Sequence, residues 1–229
     1  MTTSTPANTA SGPVNAGVNI PKPGFADATR ESQAAFRAVL DALAHPTKTY
    51  EIAGPQQAPA GLGGGLGAVA LTVLDEDATV WLGGALSGDA EAIAWLGFHT
   101  GARVTEDQAS ADFAFVTPAA LPALDSFGLG TDEAPHLSTT IVLDVRGVEC
   151  DSPREVHHFT ATGPGINVEA ELDAPWADSV TDFLAQWRAN ARLFPRGVDL
   201  LIVDEDSVEA LPRTTQLRAL TPATTTQEA

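Results

Sequence analysis

Positive charge is scarce in this chain and is carried almost wholly by arginine, with ten arginines against two lysines. A guanidinium offers a planar fork that matches the paired oxygens of phosphate, phosphonate or carboxylate, so each inward-facing arginine calls for an anionic partner. Arg213-Thr214-Thr215 is the segment best suited to that chemistry. It follows a strand-like run through Pro212 and presents one fork and two hydroxyls together. Two readings are open for it: a site for a phosphorus oxyanion, or an ion pair between Arg213 and a neighbouring acid.

The other chemistry-bearing residues point to less. Gly61-Leu62-Gly63-Gly64-Gly65-Leu66-Gly67 lacks the terminal Gly-Lys-Ser/Thr of a Walker loop and the spacing of a dinucleotide fingerprint, so it reads as a surface loop. His45, His99, His136, His157 and His158 show no metal-ligand spacing, and no metal site is expected. His99 caps the end of a helix in the bland reading. Asp75-Glu76-Asp77 and Asp204-Glu205-Asp206 lie in expected turns, where solvated charges are the rule. Cys150 stands alone, without a nucleophile motif and without a partner for a disulfide or cluster. A pyridoxal-phosphate aldimine would need a buried lysine; Lys48 is the sole candidate outside the tail, and no cofactor is expected.

Those residues sit in a chain of 229 with 30 acidic groups against 12 basic ones, a net charge of −18. That field repels nucleic acid and anionic membrane surfaces. Hydrophobic residues at 44% suffice for a core, and no apolar run approaches the roughly 20 residues of a membrane span. With no basic residue before Lys22 and no compact apolar block, the N-terminus shows no export signal, and a cytoplasmic location is expected. Residues 1–24 and 221–229 read as disordered tails around a single domain, 25–220.

The elements that must position the candidates follow from periodicity. Ala35, Phe36, Val39, Leu40 and Leu43 share one face of a first helix, with Asp27 at its start and His45-Pro46 at its end. A short strand over 47–52 and a loop over 55–67 follow, then a buried helix over 68–74, a strand over 79–82 and a helix over 89–98 closed by His99-Thr100-Gly101. Val104 and 113–116 read as strands and 118–124 as a short helix. The apolar run 139–145 is the most strand-like, with 156–162 expected as its antiparallel neighbour across Asp151-Ser152-Pro153. Trp176, Val180, Phe183, Leu184, Trp187 and Ala191 mark one last helix, and 198–203 with 208–211 form a hairpin. Alternating strands and helices imply an α/β fold, a three-layer sandwich with a mixed sheet between helical layers.

With Phe194-Pro195-x-Gly197-Val198-Asp199-Leu200 followed by Leu211-Pro212-Arg213-Thr214-Thr215, the chain resembles the PhnH family, the H subunit of the bacterial carbon-phosphorus lyase system. Ala35-Phe36-Arg37 with Leu40 and Pro46, Leu71 to Asp75, Val80-Trp81-Leu82, Phe98-His99-Thr100 and Thr162-Gly163-Pro164-Gly165-Ile166 agree with it in order. It departs where the family tends to have glycine after the proline that ends the first helix, since Thr47 stands there. The resemblance implies a homodimeric subunit working with the G, I and J subunits and associated nucleotide-binding subunits. That machinery joins a phosphonate to the ribose of ATP with release of adenine, forming ribose 1-methylphosphonate 5-triphosphate from methylphosphonate. It also implies a fold like that of pyridoxal-phosphate-dependent transferases without the cofactor. Three roles stand side by side: an assembly subunit; a subunit whose Arg213, Thr214 and Thr215 grip an ATP or phosphonate anion with Arg37 or His99 assisting; or an independent small-molecule transferase.

Overall fold

The computed structural model describes residues 21–148 and 158–220; Cys150, His157 and the Asp151-Ser152-Pro153 turn lie outside them. The chain opens with α1 (Ala28–Ala44), where the Asp27 carboxylate accepts the Arg30 backbone N–H at 3.0 Å and so satisfies a free helix donor. α1 buries its small side, Ala35, Ala38, Val39 and Ala42, whereas Phe36 and Leu40, expected inside, are each 48% exposed. Thr47, just past the helix, has φ 70, the left-handed conformation that glycine adopts without strain.

After β1 (Tyr50–Glu51), α2 (Gly63–Val73) begins inside the glycine run. This corrects the loop expected over 55–67. The glycines are there because backbone meets backbone: a Cβ on Gly65 would lie 1.9 Å from the Asp204 carbonyl oxygen, and one on Gly54 2.0 Å from that of Gly64. Close packing against the turn at Asp204 outweighs the cost of glycine in a helix, about 1 kcal/mol each.

Then come β2 (Thr79–Leu82), α3 (Ala90–Thr100), β3 (Arg103–Thr105), β4 (Phe113–Val116) and β5 (Thr140–Asp144). β6 (His158–Thr162), β7 (Ala170–Asp173), α4 (Phe183–Ala191), β8 (Asp199–Val203), β9 (Ser207–Leu211) and β10 (Gln216–Ala219) complete the order. The short helix expected over 118–124 is instead a pair of 3-10 turns, Pro118–Ala120 and Leu124–Ser126.

The seven-stranded sheet runs β1-β9-β8-β5-β4-β2-β3, and β8, β5, β4, β2 and β3 are mutually parallel. β9 is antiparallel to β8 and β1, closing the expected hairpin. Alternate residues feed two cores. Phe115, Val142, Leu201 and Val203 face a layer of α1, α2 and α3, while Ala114, Ile141, Leu143, Leu200 and Ile202 face the opposite way. Burial on both faces is why β5 and β8 read as unbroken apolar runs. On the second face, α4 shares the layer with a three-stranded sheet, β10-β6-β7, so this layer is not purely helical.

Two further expectations are corrected. β6 does not pair with β5, whose two edges are taken in parallel by β4 and β8; it lies between β10 and β7. An apolar strand saturated on both edges has no place for the segment next in sequence. The last helix is also broken: Pro175–Ser179 is a 3-10 turn, and Asp182 at φ 50 separates it from α4. Trp176, Val180, Phe183 and Trp187 still share one core, because burial selected them and helical continuity did not.

Candidate functional site

Asp199 opens β8 and Arg213 lies two residues beyond β9, so the two meet at the open end of the hairpin. The Arg213 backbone N–H donates to Asp199 Oδ1 at 2.7 Å, and Nε donates to the same carboxylate at 3.1 Å. Nη2 donates to Asp199 Oδ2 and to the Ser138 hydroxyl. Nη1 donates to the carbonyls of Pro135 at 3.0 Å and Pro195 at 3.3 Å. All five guanidinium N–H groups thus have acceptors within the chain. The cluster occupies the amino ends of the parallel strands.

The other predicted residues do not complete a pocket around it. Thr215 is fully buried, its backbone carbonyl accepts Trp187 Nε1–H at 2.9 Å, and its hydroxyl has no partner. The Thr214 carbonyl packs on the Gly163 backbone, where a Cβ would stand 3.0 Å away. Gly165, in the same turn at φ 81, is wedged against the end of α1, with the Ala44 carbonyl oxygen 2.1 Å from any added Cβ. Arg37 is exposed on α1. His99 Nε2 and Trp95 Nε1 both bond the Lys22 carbonyl, at 2.8 and 2.9 Å, pinning the segment before α1 to α3. Neither Arg37 nor His99 bonds Arg213. Lys48 is exposed.

The structure therefore gathers the end of α1, the 162–166 turn, the 194–199 segment and 211–215 at one end of the molecule. Asn190 fastens the third of these. Its amide donates to the Val198 carbonyl at 2.9 Å and accepts the Val198 N–H at 2.8 Å, a buried pair of bonds between α4 and the residue that precedes β8. These contacts are backbone-directed, so they set loop shape rather than offer side chains to a reactant.

A second ionic cluster, not anticipated, lies at the carboxyl ends of β5 and β8, the edge where open α/β sheets bind ligands. Arg146 grips the buried Asp144 through Nε and Nη2, both at 2.8 Å, and donates from Nη2 to the Gly61 carbonyl at 2.7 Å. Its Nη1 is 3.5 Å from Glu205 Oε2. Hydrogen bonding to Asp144, reinforced by the charges of Asp144 and Glu205, raises the Arg146 pKa above its already high ordinary value. Glu205 Oε1 accepts the Gly64 N–H at 3.0 Å, so a protein carboxylate already occupies the first turn of α2. A shallow groove of about 350 Å³ opens beside it, lined in part by Gly54, Pro55, Gln56 and Asp206. The available signal was Asp144-Val145-Arg146 at the end of the most apolar strand.

Glu209, also missed, has the most displaced carboxyl among the described residues. Its β9 neighbours Val208 and Ala210 enter the first core, so it lies on the opposite face. Burial first, and the negative charge of Asp173 second, push its pKa up to about 7. Asp173 is itself bonded to His158 Nδ1. Among the described residues no three or more His, Cys, Asp or Glu side chains are grouped to hold a metal, and no helix is long and apolar enough to cross a membrane.

Comparison with known proteins meets this geometry from another side. The family described as bacterial phosphonate metabolism protein (PhnH) matches residues 23–218. The chain is 41% identical over 194 residues to the alpha-D-ribose 1-methylphosphonate 5-triphosphate synthase subunit PhnH of Rhizobium meliloti (strain 1021), covering 84% of this chain and 93% of that protein. It is 36% identical over 90 residues to the putative C-P lyase subunit protein HtxG of Stutzerimonas stutzeri, covering 39% of this chain and 42% of that one. The segments gathered around Arg213 lie within the matched span, and the chain belongs to the PhnH family.

Proposed function

We propose that this chain is a subunit of the carbon-phosphorus lyase complex, required for forming ribose 1-methylphosphonate 5-triphosphate from ATP and methylphosphonate, and that it acts through assembly rather than as the sole catalyst. The relative in Rhizobium meliloti, matched over nearly its whole length, supports the pathway and the step. The observation that carries the assembly role is the saturation of Arg213: with every guanidinium N–H engaged by Asp199, Ser138, Pro135 and Pro195, the best candidate anion fork serves as a clamp between loops. On this reading the partners are the G, I and J subunits with associated nucleotide-binding subunits. The isolated chain is a cytoplasmic homodimer with a fold related to pyridoxal-phosphate-dependent transferases but without the cofactor.

A second reading gives the chain its own ATP or phosphonate site at Arg213-Thr214-Thr215. The buried, unpartnered Thr215 hydroxyl favours it. Isothermal titration of ATP and of methylphosphonate into the folded chain separates the two. The assembly role expects no saturable heat from either ligand, together with loss of ribosyl-triphosphate formation when this chain is omitted from the co-expressed subunits. Saturable binding abolished in a folded Arg213→Ala variant would establish the second reading instead.

A further inference from the structure

The chain's negative charge is not spread evenly. From Phe183 to Val198 there are three arginines, Arg188, Arg192 and Arg196, and no Asp or Glu; from Ala210 to Ala219 there are Arg213 and Arg218 and again no acid. The fold lays these two acid-free segments side by side. Trp187 Nε1 donates to the Thr215 carbonyl at 2.9 Å and Arg188 Nε to that of Leu217 at 3.2 Å, joining α4 to β10. Arg213 is neutralised by Asp199 and Arg196 by Asp132. Arg188, Arg192 and Arg218 are exposed and have no carboxylate partner among the described residues. Arg188 on α4 and Arg192 just past its end stand one helical turn apart, so a protein at net −18 carries a local cationic face there, while Arg218 lies on the outer side of β10, opposite the buried Leu217 and in line with Thr160 and Glu171.

That face ends in exposed apolar groups. Phe194 is 64% exposed and Leu137 62%. They are separate in sequence, but one nitrogen of Arg213 holds the carbonyls of Pro135 and Pro195, so the loops that carry them lie together. A single exposed apolar residue needs no explanation. An exposed aromatic and a leucine held in place by a mostly buried ion pair, next to unpaired arginines, have the composition of a protein interface, in which aromatic residues and arginine dominate the binding energy.

We propose that the surface formed by the end of α4 and the Leu137 and Phe194 loops is the docking face for a partner protein that offers an apolar pocket rimmed by Asp and Glu. This rests on the assembly reading above and deepens it. A second copy of this chain is disfavoured as the occupant, because a two-fold contact through this face would set Arg188 and Arg192 against the same arginines of the other copy, while an acidic pocket on another subunit complements them directly.

The test co-expresses the full chain with the G, I and J subunits and measures the fraction retained on a tagged partner across rising salt. Phe194→Glu is expected to reduce retention at least about tenfold. Arg192→Glu should reduce it at low salt and flatten the salt dependence, since exposed charges are screened within about 10 Å at 0.1 M. Phe98→Glu, on α3 in the opposite layer, should assemble as wild type does. All three sites are exposed, and circular dichroism confirms that each variant is folded. Undiminished retention of both the Phe194 and the arginine variants overturns the docking face while leaving the assembly role intact. Failure of the wild-type chain to join any subunit overturns both. If light scattering shows that Phe194→Glu halves the mass of the isolated chain, the face joins two copies and the proposal is wrong about its occupant.

Discussion

Arg213 pairs with Asp199 across the open end of the β8–β9 hairpin, and the same guanidinium reaches two loops that are otherwise unconnected in sequence. A single mostly buried side chain therefore ties the 135–138 and 194–199 segments to the sheet. Asp199→Ala would leave that guanidinium without its counter-ion, and Arg213→Ala would leave Asp199 without its counter-ion, bonded only by the backbone N–H of residue 213, and two carbonyls unpaired. Each is expected to cost about 3 kcal/mol, read as a shift of the urea midpoint. Arg213→Lys should recover little, since one ammonium cannot span acceptors placed for a planar fork.

Thr215 supplies the opposite case. Its buried hydroxyl has no partner, so Thr215→Val removes a desolvated polar group at nearly constant volume. Stability should rise by about 1 kcal/mol with assembly unchanged. A folded variant that instead loses ATP or phosphonate binding would mean that the hydroxyl serves a ligand.

Glu209 should make stability fall as pH rises. Its carboxyl titrates near 7 in the folded chain against an ordinary value of 4.5, so the folded state holds its proton after the unfolded chain has released it. The contribution is fully present below pH 4.5 and is lost between 4.5 and 7, with a slope of at most about 1.4 kcal/mol per pH unit. Partial solvent access reduces the total to about 2 kcal/mol. Glu209→Gln should match wild type at pH 4 and exceed it by about that amount at pH 8, as thermal melts across the range would read.

Thr47 sits at φ 70, where a β-branched residue is strained. Thr47→Gly is expected to stabilise the chain by about 1 kcal/mol, less the entropy glycine returns to the unfolded state. Chemical denaturation with an unchanged m-value checks this.

Much of the scaffold was legible without coordinates. Helix α1 between Asp27 and His45, strand β2, helix α3 closed by Gly101 and the β8–β9 hairpin all rest on caps, turns and periodicity, which act within a few residues. The Arg213 segment stood out for the same local reason, a fork and hydroxyls after a strand, and its two readings were separable only by finding Asp199 and the two carbonyls within reach.

What the sequence alone determined, then, was the local character of α1, β2, α3 and the β8–β9 hairpin, a lysine-poor and strongly acidic α/β chain, and the motifs that mark its family. Tertiary structure decided the rest: that β6 leaves β5 for a second sheet, that the glycine run is the tightly packed start of α2, that Arg146 bridges Asp144 and Glu205, and that α4 lies beside β10, with Arg188 bonded to its backbone. Strand partners, close backbone approach and clustered charge are pairwise relations between distant positions, and they are set by which surfaces the closed core brings within a few ångströms of each other.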